Sequence, residues 1–223
     1  LHAGGKFDHD VYKTSGGLHG VGASVVNALS EWLEVEVARA GKLHAMSFER
    51  GAVAEQLHVI GQRAKTGTKV SFKPDPLMFP DADFRYETLA ARLKELAYLN
   101  PGLTIVIHDE RSEKGETFCF PDGIQAFVHS LNEGTNTLHD AIYLRMEDEE
   151  QSLVREVAMQ YNDSYNETLL TSATNINPSD GGTPLSGHKP ARTPTPSHYP
   201  RAPNLPDAAQ PPTTATPPSR PRP

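Results

Sequence analysis

The chain has 223 residues, 37% hydrophobic and 22% charged, with a formal net charge of -7 at pH 7. That is room for one large or two small domains with real cores, and the mild acidity argues against a basic module that grips nucleic acid by itself. No apolar run approaches a membrane span and no signal peptide opens the chain; the single cysteine, Cys119, excludes an internal disulfide framework and is compatible with a reducing cytosol, so a cytoplasmic location is expected.

The average hides a split, because 13 of the 19 prolines lie from Pro184 onward. We therefore expect a globular body of roughly 180 residues and a proline-rich tail that is disordered or artefactual. The chain opens on Leu1, not methionine, which reads as a piece of something longer.

Residues 1–14 are polar and glycine-rich and read as a loop. They lead into Ser15-Gly16-Gly17-Leu18-His19-Gly20-Val21-Gly22 and then a helical stretch with Val21, Val25, Ala28 and Leu29 on one face. Leu33, Val35 and Val37 alternate with Glu34 and Glu36, the period-two pattern of a half-buried strand. Ala40-Gly41-Lys42 is a hairpin turn, and Leu43 to Glu49 returns. A further strand, Lys69 to Phe72, follows a turn at Lys65-Thr66-Gly67-Thr68. Asp83 is placed to cap a helix running to Leu99, with Leu89, Leu93 and Leu96 as its apolar stripe and Pro101 as its stop. A strand from Leu103 to His108 and a return from Glu116 to Phe120 come next. Asp122 then caps a helix with the stripe Ile124, Phe127, Val128 and Leu131. Beyond Asn132-Glu133-Gly134-Thr135, strand candidates lie at Ala141 to Met146, Val154 to Tyr161 and Glu167 to Ala173, with Glu147 to Glu150 as a solvated hairpin tip. The body is α+β, with hairpin strands and helices packed on one face.

The chemistry concentrates in the string from Gly16 to Gly22. Glycines let the backbone take positive φ and bring bare amides close to a ligand. The helix behind them adds unpaired N–H groups and a positive dipole end, together a nest for anionic oxygens such as phosphates. Lys6 and Lys13 on the approach add positive charge. The Walker pattern needs a terminal Gly-Lys-Ser/Thr that is absent, and the G-x-x-G-x-G order after a loop is not the dinucleotide fingerprint. On spacing alone, a glycine turn with no ligand remains the plain alternative.

Residues Leu1 to Asp8, Tyr12-Lys13 and Ser15 to Gly22 followed by Ser24 to Ser30 closely resemble the DNA gyrase B family, which supplies the ATPase component of bacterial type II topoisomerases. The likeness continues collinearly through Lys65 to Thr68, Arg92 to Leu96, Gly123 to Val128 and Asn175 to Asn177, and ends at Asp180 to Thr183. The resemblance implies a Bergerat-type (GHKL) two-layer α/β sandwich over residues 1–133 that includes the ATP lid. It makes residues 134–183 the start of a transducer domain of ribosomal S5-like α+β form, and 184–223 the tail.

It also implies an ATP site. Gly17, Leu18, His19, Gly20, Val21 and Gly22 wrap the triphosphate with backbone amides, and His19 has a structural place there, not a general-base one. Lys6 and Lys13 lie near the phosphates, Tyr12 near the adenosine, and Thr68 at the adenine end. The family's general-base glutamate and magnesium-binding asparagine precede the position equivalent to Leu1. We therefore expect no catalytic residue and no Mg2+ ligand in this chain, although ATP and Mg2+ serve the whole enzyme. The partners implied are double-stranded DNA, gyrase A in an A2B2 assembly, and a second copy through the ATPase domain. The activity implied is ATP-driven negative supercoiling. The alternatives are the B component of topoisomerase IV and a non-catalytic nucleotide-binding fragment.

Overall fold

The computed structural model describes residues 20–148, 153–164, 166–173 and 187. A short helix α1 (Gly22–Ala28) leads into four strands, β1 (Ser30–Arg39), β2 (Lys42–Glu49), β3 (Ala52–Gln62) and β4 (Gly67–Pro74). Helix α2 (Tyr86–Leu99), the hairpin β5 (Ile105–Asp109) and β6 (Lys114–Phe118), helix α3 (Ile124–Leu131) and the hairpin β7 (Ile142–Asp148) and β8 (Leu153–Met159) follow.

The first four strands form one antiparallel sheet in the order β3-β2-β1-β4. Two turns set it up. Ala40 and Gly41 take φ of 51° and 76°, and Arg50 and Gly51 take 46° and 83°. Paired positive φ values give the mirror-image turn whose twist matches that of antiparallel strands. The sequence announces the first turn; the second, and β3 after it, are additions that the alternation did not predict. Thr68 lies inside β4, not in the turn before it.

Register sorts the two faces of the sheet. Leu33 faces Phe48 and Phe72, Val35 faces Met46 and Val70, and Val37 faces His44 and Thr68. Side chains alternate along a strand, so these residues share one largely apolar face. The other face carries Glu34 and Glu36, with Lys69 bonded to Glu36 at 3.1 Å. The predicted alternation is clear at Leu33 and Glu34, but Val35, Glu36 and Val37 are all partly covered and Ala38, on the glutamate face, is buried, so both faces are covered towards the end of β1.

Helix α2 packs on the β5–β6 hairpin rather than on the large sheet, and the core there is Tyr86, Ala90, Ala97 and Phe118, backed by Leu93, Ile105, Ile107 and Phe120. The buried stripe is thus 86, 90, 93 and 97. The expected stripe through Leu89 is displaced, since Leu89 is 41% exposed. Tyr98 stacks on Phe120 and Phe127, with centroids 3.7 and 4.8 Å away, and so joins α2 to α3.

Neither acidic cap forms. Helix α2 begins after Arg85 with no side-chain cap, and Asp83 is spent on an ion pair with Arg111. Helix α3 begins after Gly123, again without a side-chain cap. Gly123 has φ 54°, and a Cβ there would sit 2.7 Å from Pro101 Cγ, so close approach to the α2–β5 turn fixes this start. In α3, Leu131 falls on the exposed side of the expected stripe. Of the expected hairpin tip, Glu147 and Asp148 instead belong to β7, paired with Val154 and Leu153, and residues 149–150 lie outside the described residues. Of the expected strand Glu167 to Ala173, residues 167–172 are not in a strand, Ala173 sits in an isolated bridge, and Leu170 is exposed.

Arg111 ties the β5–β6 turn to the segment before α2. Its guanidinium donates to Asp109 Oδ1 at 2.9 Å, to Asp83 and to the carbonyl of Phe84, and Ser112 Oγ donates to Asp109 Oδ2 at 3.0 Å. These donors, the Arg111 guanidinium first, hold the Asp109 carboxyl at about 2 against an ordinary 3.8. A carboxylate whose folded value is depressed stabilises the fold above its unfolded value and loses that contribution as pH falls through the folded one. Wild type and Asp109→Asn are therefore expected to differ in thermal stability at neutral pH and to converge between pH 4 and about 2, as read by melting curves across that range.

Candidate functional site

The glycine string enters the described structure at its end. Gly20 takes φ 65°, Val21 caps α1 without a side-chain bond, and Val25 N–H donates to Val21 O at 2.9 Å. Lys6, Tyr12, Lys13, Gly17, Leu18 and His19 lie outside the described residues, so Gly20, Val21, Gly22 and Thr68 are the predicted site residues that the geometry locates.

Helix α1 turns a different side inward from the one its spacing suggests. Asn27 is its buried residue, whereas Val25 is 49% exposed and Val26 is also open. These valines form one wall of a cleft of about 280 Å³, with Leu29 beside them and Phe72, Phe79 and Phe84 opposite. Phe84 meets Phe72 edge-on, with centroids 6.2 Å apart, so the Arg111 tie also supports this wall.

Phe72, Val70 and Thr68 follow one another on the same face of β4. At a rise of roughly 3.3 Å per residue, the Thr68 hydroxyl lies about 13 Å along the strand from Phe72. The β4 face is thus apolar at Phe72 and Val70 with a hydroxyl-bearing residue at Thr68, and the cleft at its Phe72 end is walled by α1, one turn beyond Gly22. Such a surface suits a flat, largely apolar ring with an anionic extension.

The cleft's organiser is Asp75, just past β4 and 4% exposed. Arg50 Nε donates to Asp75 Oδ2 at 2.6 Å, and Leu77 N–H donates to Oδ1 at 3.0 Å. The Arg50 guanidinium first, then the Leu77 amide, hold the Asp75 carboxyl below the usual carboxylate range. Sequence reading missed this pair, whose members are 25 residues apart in no motif. It also missed Phe72 as a cleft residue, although its period-two relation to Thr68 was a usable signal.

A second cavity of about 390 Å³ lies between α2 and β6. In it Lys114 pairs with Glu87 at 2.8 Å and Tyr86 Oη donates to Glu116 at 3.0 Å, and Lys94 also lines it. Burial, with that hydrogen bond, pushes the Tyr86 phenol above its ordinary range. Cys119 is a free, exposed thiol. Among the described residues no group of three or more His, Cys, Asp or Glu side chains is placed to hold a metal ion, and no helix is long and apolar enough to cross a membrane.

Comparison with known proteins bears on this geometry. A profile of the DNA gyrase B family matches residues 123–214, starting at the N-terminus of α3 and running past Pro184 into the proline-rich stretch. DNA gyrase B of Archaeoglobus fulgidus is 50% identical over 191 residues, covering 84% of this chain and 30% of that protein. The B component of DNA topoisomerase 4 from Bacillus subtilis is 48% identical over 188 residues, covering 84% of this chain and 28% of that protein. The 43K ATPase domain of Thermus thermophilus gyrase B, solved in complex with an aminocoumarin, superposes with a TM-score of 0.73 at 43% identity, covering 81% of this chain and 50% of that one. The α+β architecture is thus that of a gyrase-type ATPase domain. The chain belongs to the DNA gyrase B family, and it spans about 30% of the length of the curated relatives it matches.

Proposed function

We propose that the chain is the part of a DNA gyrase B protein that carries the ATP lid, one half of the ATP site and the first strands of the transducer. In this reading the backbone amides of Gly17, Leu18, His19, Gly20, Val21 and Gly22 receive the triphosphate, and Lys6 and Lys13 balance its charge. Tyr12 and Thr68 face the adenosine end. Residues 1–133 form the ATPase portion and 134–183 open the transducer. The observation that carries the reading is the positive-φ turn at Gly20 leading into α1, whose Val25 and Val26 wall an apolar cleft with Phe72, while Thr68 lies farther along the Phe72 face of β4.

The described residues offer no cluster suited to Mg2+, so no step is assigned to the ion. The chain's own contribution is binding: preorganised amides where phosphate charge sits, and exclusion of water by the apolar wall. The Thermus relative was solved in complex with an aminocoumarin, so binding of that inhibitor class is a further expectation of this reading. In the whole enzyme, ATP binding closes the lid and pairs two copies around a DNA duplex. Together with gyrase A, that cycle introduces negative supercoils in the cytoplasm.

The test uses the complete gene product with its gyrase A partner, relaxed plasmid, ATP and Mg2+. We expect ATP-dependent negative supercoiling. ATP-dependent decatenation and relaxation without supercoiling would assign the chain to topoisomerase IV instead. Nucleotide binding with no turnover would reduce it to a binding module.

A further inference from the structure

We infer that Arg50 and Asp75 are a positioning pair for the nucleotide cleft, holding α1 at the separation from β4 that a triphosphate requires; the inference rests on the nucleotide reading above. Three segments converge on Asp75. Its N–H donates to Leu29 O at 3.0 Å and so fixes the end of α1. Its own carbonyl accepts from Met78 N at 3.0 Å and Phe79 N at 2.9 Å, and its carboxylate accepts from Leu77 N, which together set the turn that puts Phe79 into the cleft. One residue thus sets both walls.

Arg50 stands outside the cleft, in the turn between β2 and β3, and its guanidinium acts on the cleft through Asp75, which lies behind the lining residues. The turn is itself held against α1. Arg50 N–H donates to Glu31 O at 3.3 Å, and a Cβ on Gly51 would lie 3.3 Å from Ala28 Cα. When the guanidinium is removed, a buried carboxylate loses its charged partner, and Asp75 relaxes towards water. That movement pulls on Leu29 and on α1, whose far end carries Gly20 to Gly22. Thr68 does not feel it, because its register is held by pairing with Val37 on β1. Loss of the pair therefore weakens recognition of phosphates while sparing recognition of the nucleoside, a split that a purely stabilising ion pair does not produce.

The experiment measures dissociation constants by calorimetry on the full-length polypeptide for two probes, a non-hydrolysable ATP analogue and adenosine, in wild type, Arg50→Ala, Arg50→Gln and Arg50→Lys. We expect Arg50→Ala and Arg50→Gln to weaken the triphosphate by about tenfold or more, since small misplacements of a preorganised site are expensive. Adenosine should change by less than about twofold. Arg50→Lys should recover part of the loss, because it restores the charge without the planar fork. Equal weakening of both probes, or no weakening of either, overturns the positioning role and leaves an ion pair that serves stability alone. If wild type binds neither probe, the nucleotide reading falls and takes this role with it, an outcome recognised without any variant.

Discussion

Tyr98→Ala is expected to destabilise the protein by about 3–5 kcal/mol, the usual range for emptying a buried aromatic site. Tyr98 is 4% exposed and stacks on two rings, Phe120 at 3.7 Å and Phe127 at 4.8 Å. Aromatic pairs of this kind add roughly 0.5–1.5 kcal/mol each beyond the area they bury. The three rings come from α2, the stretch after β6, and α3, so the substitution opens a junction and not a single element. For a domain of 150–250 residues the expected fall in Tm is about 2–4 °C per kcal/mol, hence roughly 6–20 °C. Chemical denaturation and calorimetry of the full-length polypeptide supply the measurement. Leu89→Ala is the control: Leu89 is on the open side of the same helix and should cost under about 1 kcal/mol. If Leu89→Ala proves as costly as Tyr98→Ala, the helix buries the leucine stripe and the observed packing is wrong.

Gly20→Val is expected to lower ATP turnover by the full-length protein about 100-fold or more with little change in Tm, on the proposed function. Gly20 holds φ 65°, a region that costs L residues roughly 1–2 kcal/mol and is a clear outlier for a β-branched side chain. The turn escapes the strain by rotating its peptides, which misdirects amides that must point at phosphate oxygens. Loss of one preorganised donor typically costs about 10²–10³ in rate. Gly20 precedes α1 and is not part of the hydrophobic core among the described residues, so folding is expected to be spared. Gly22→Ala separates two causes. Gly22 has no positive φ and an added Cβ meets nothing within 4 Å. Should Gly22→Ala impair turnover as severely, close approach of the ligand is the cause rather than backbone strain. Should Gly20→Val retain full turnover, the turn is not the phosphate cradle.

Several elements were legible because their causes are local. Alternation of Leu33, Val35 and Val37 with glutamates is a one-strand property, and the two sets do fall on opposite faces of the sheet, although burial alternates clearly only at Leu33 and Glu34. The Ala40–Gly41 turn and the Pro101 stop follow from backbone geometry at single residues. β3 escaped notice because it is an edge strand: of its eleven residues only Gly61 is even partly covered, so no burial-driven alternation was imposed on its sequence. The acidic caps failed for another reason. Asp83 has a stronger use, a charge-assisted bond to Arg111, and the start of α3 is dictated by Gly123 against Pro101.

Three features could be read from the order of residues without any structure: a glycine turn leading into a helix, an amphipathic antiparallel sheet, and the collinear motifs of the gyrase B family. Each depends on residues close together along the chain. Three others came only with the packed fold: the side of α1 that opens onto a cleft, the facing of Phe72, Phe79 and Phe84 into it, and the meeting of Arg50 with Asp75. Those outcomes depend on residues far apart in the chain, set by register across β1 and β4 and by competition among partners for each polar group. No local pattern encodes such competition, because it is resolved only when the strands have paired and the buried carboxylate has found its cation.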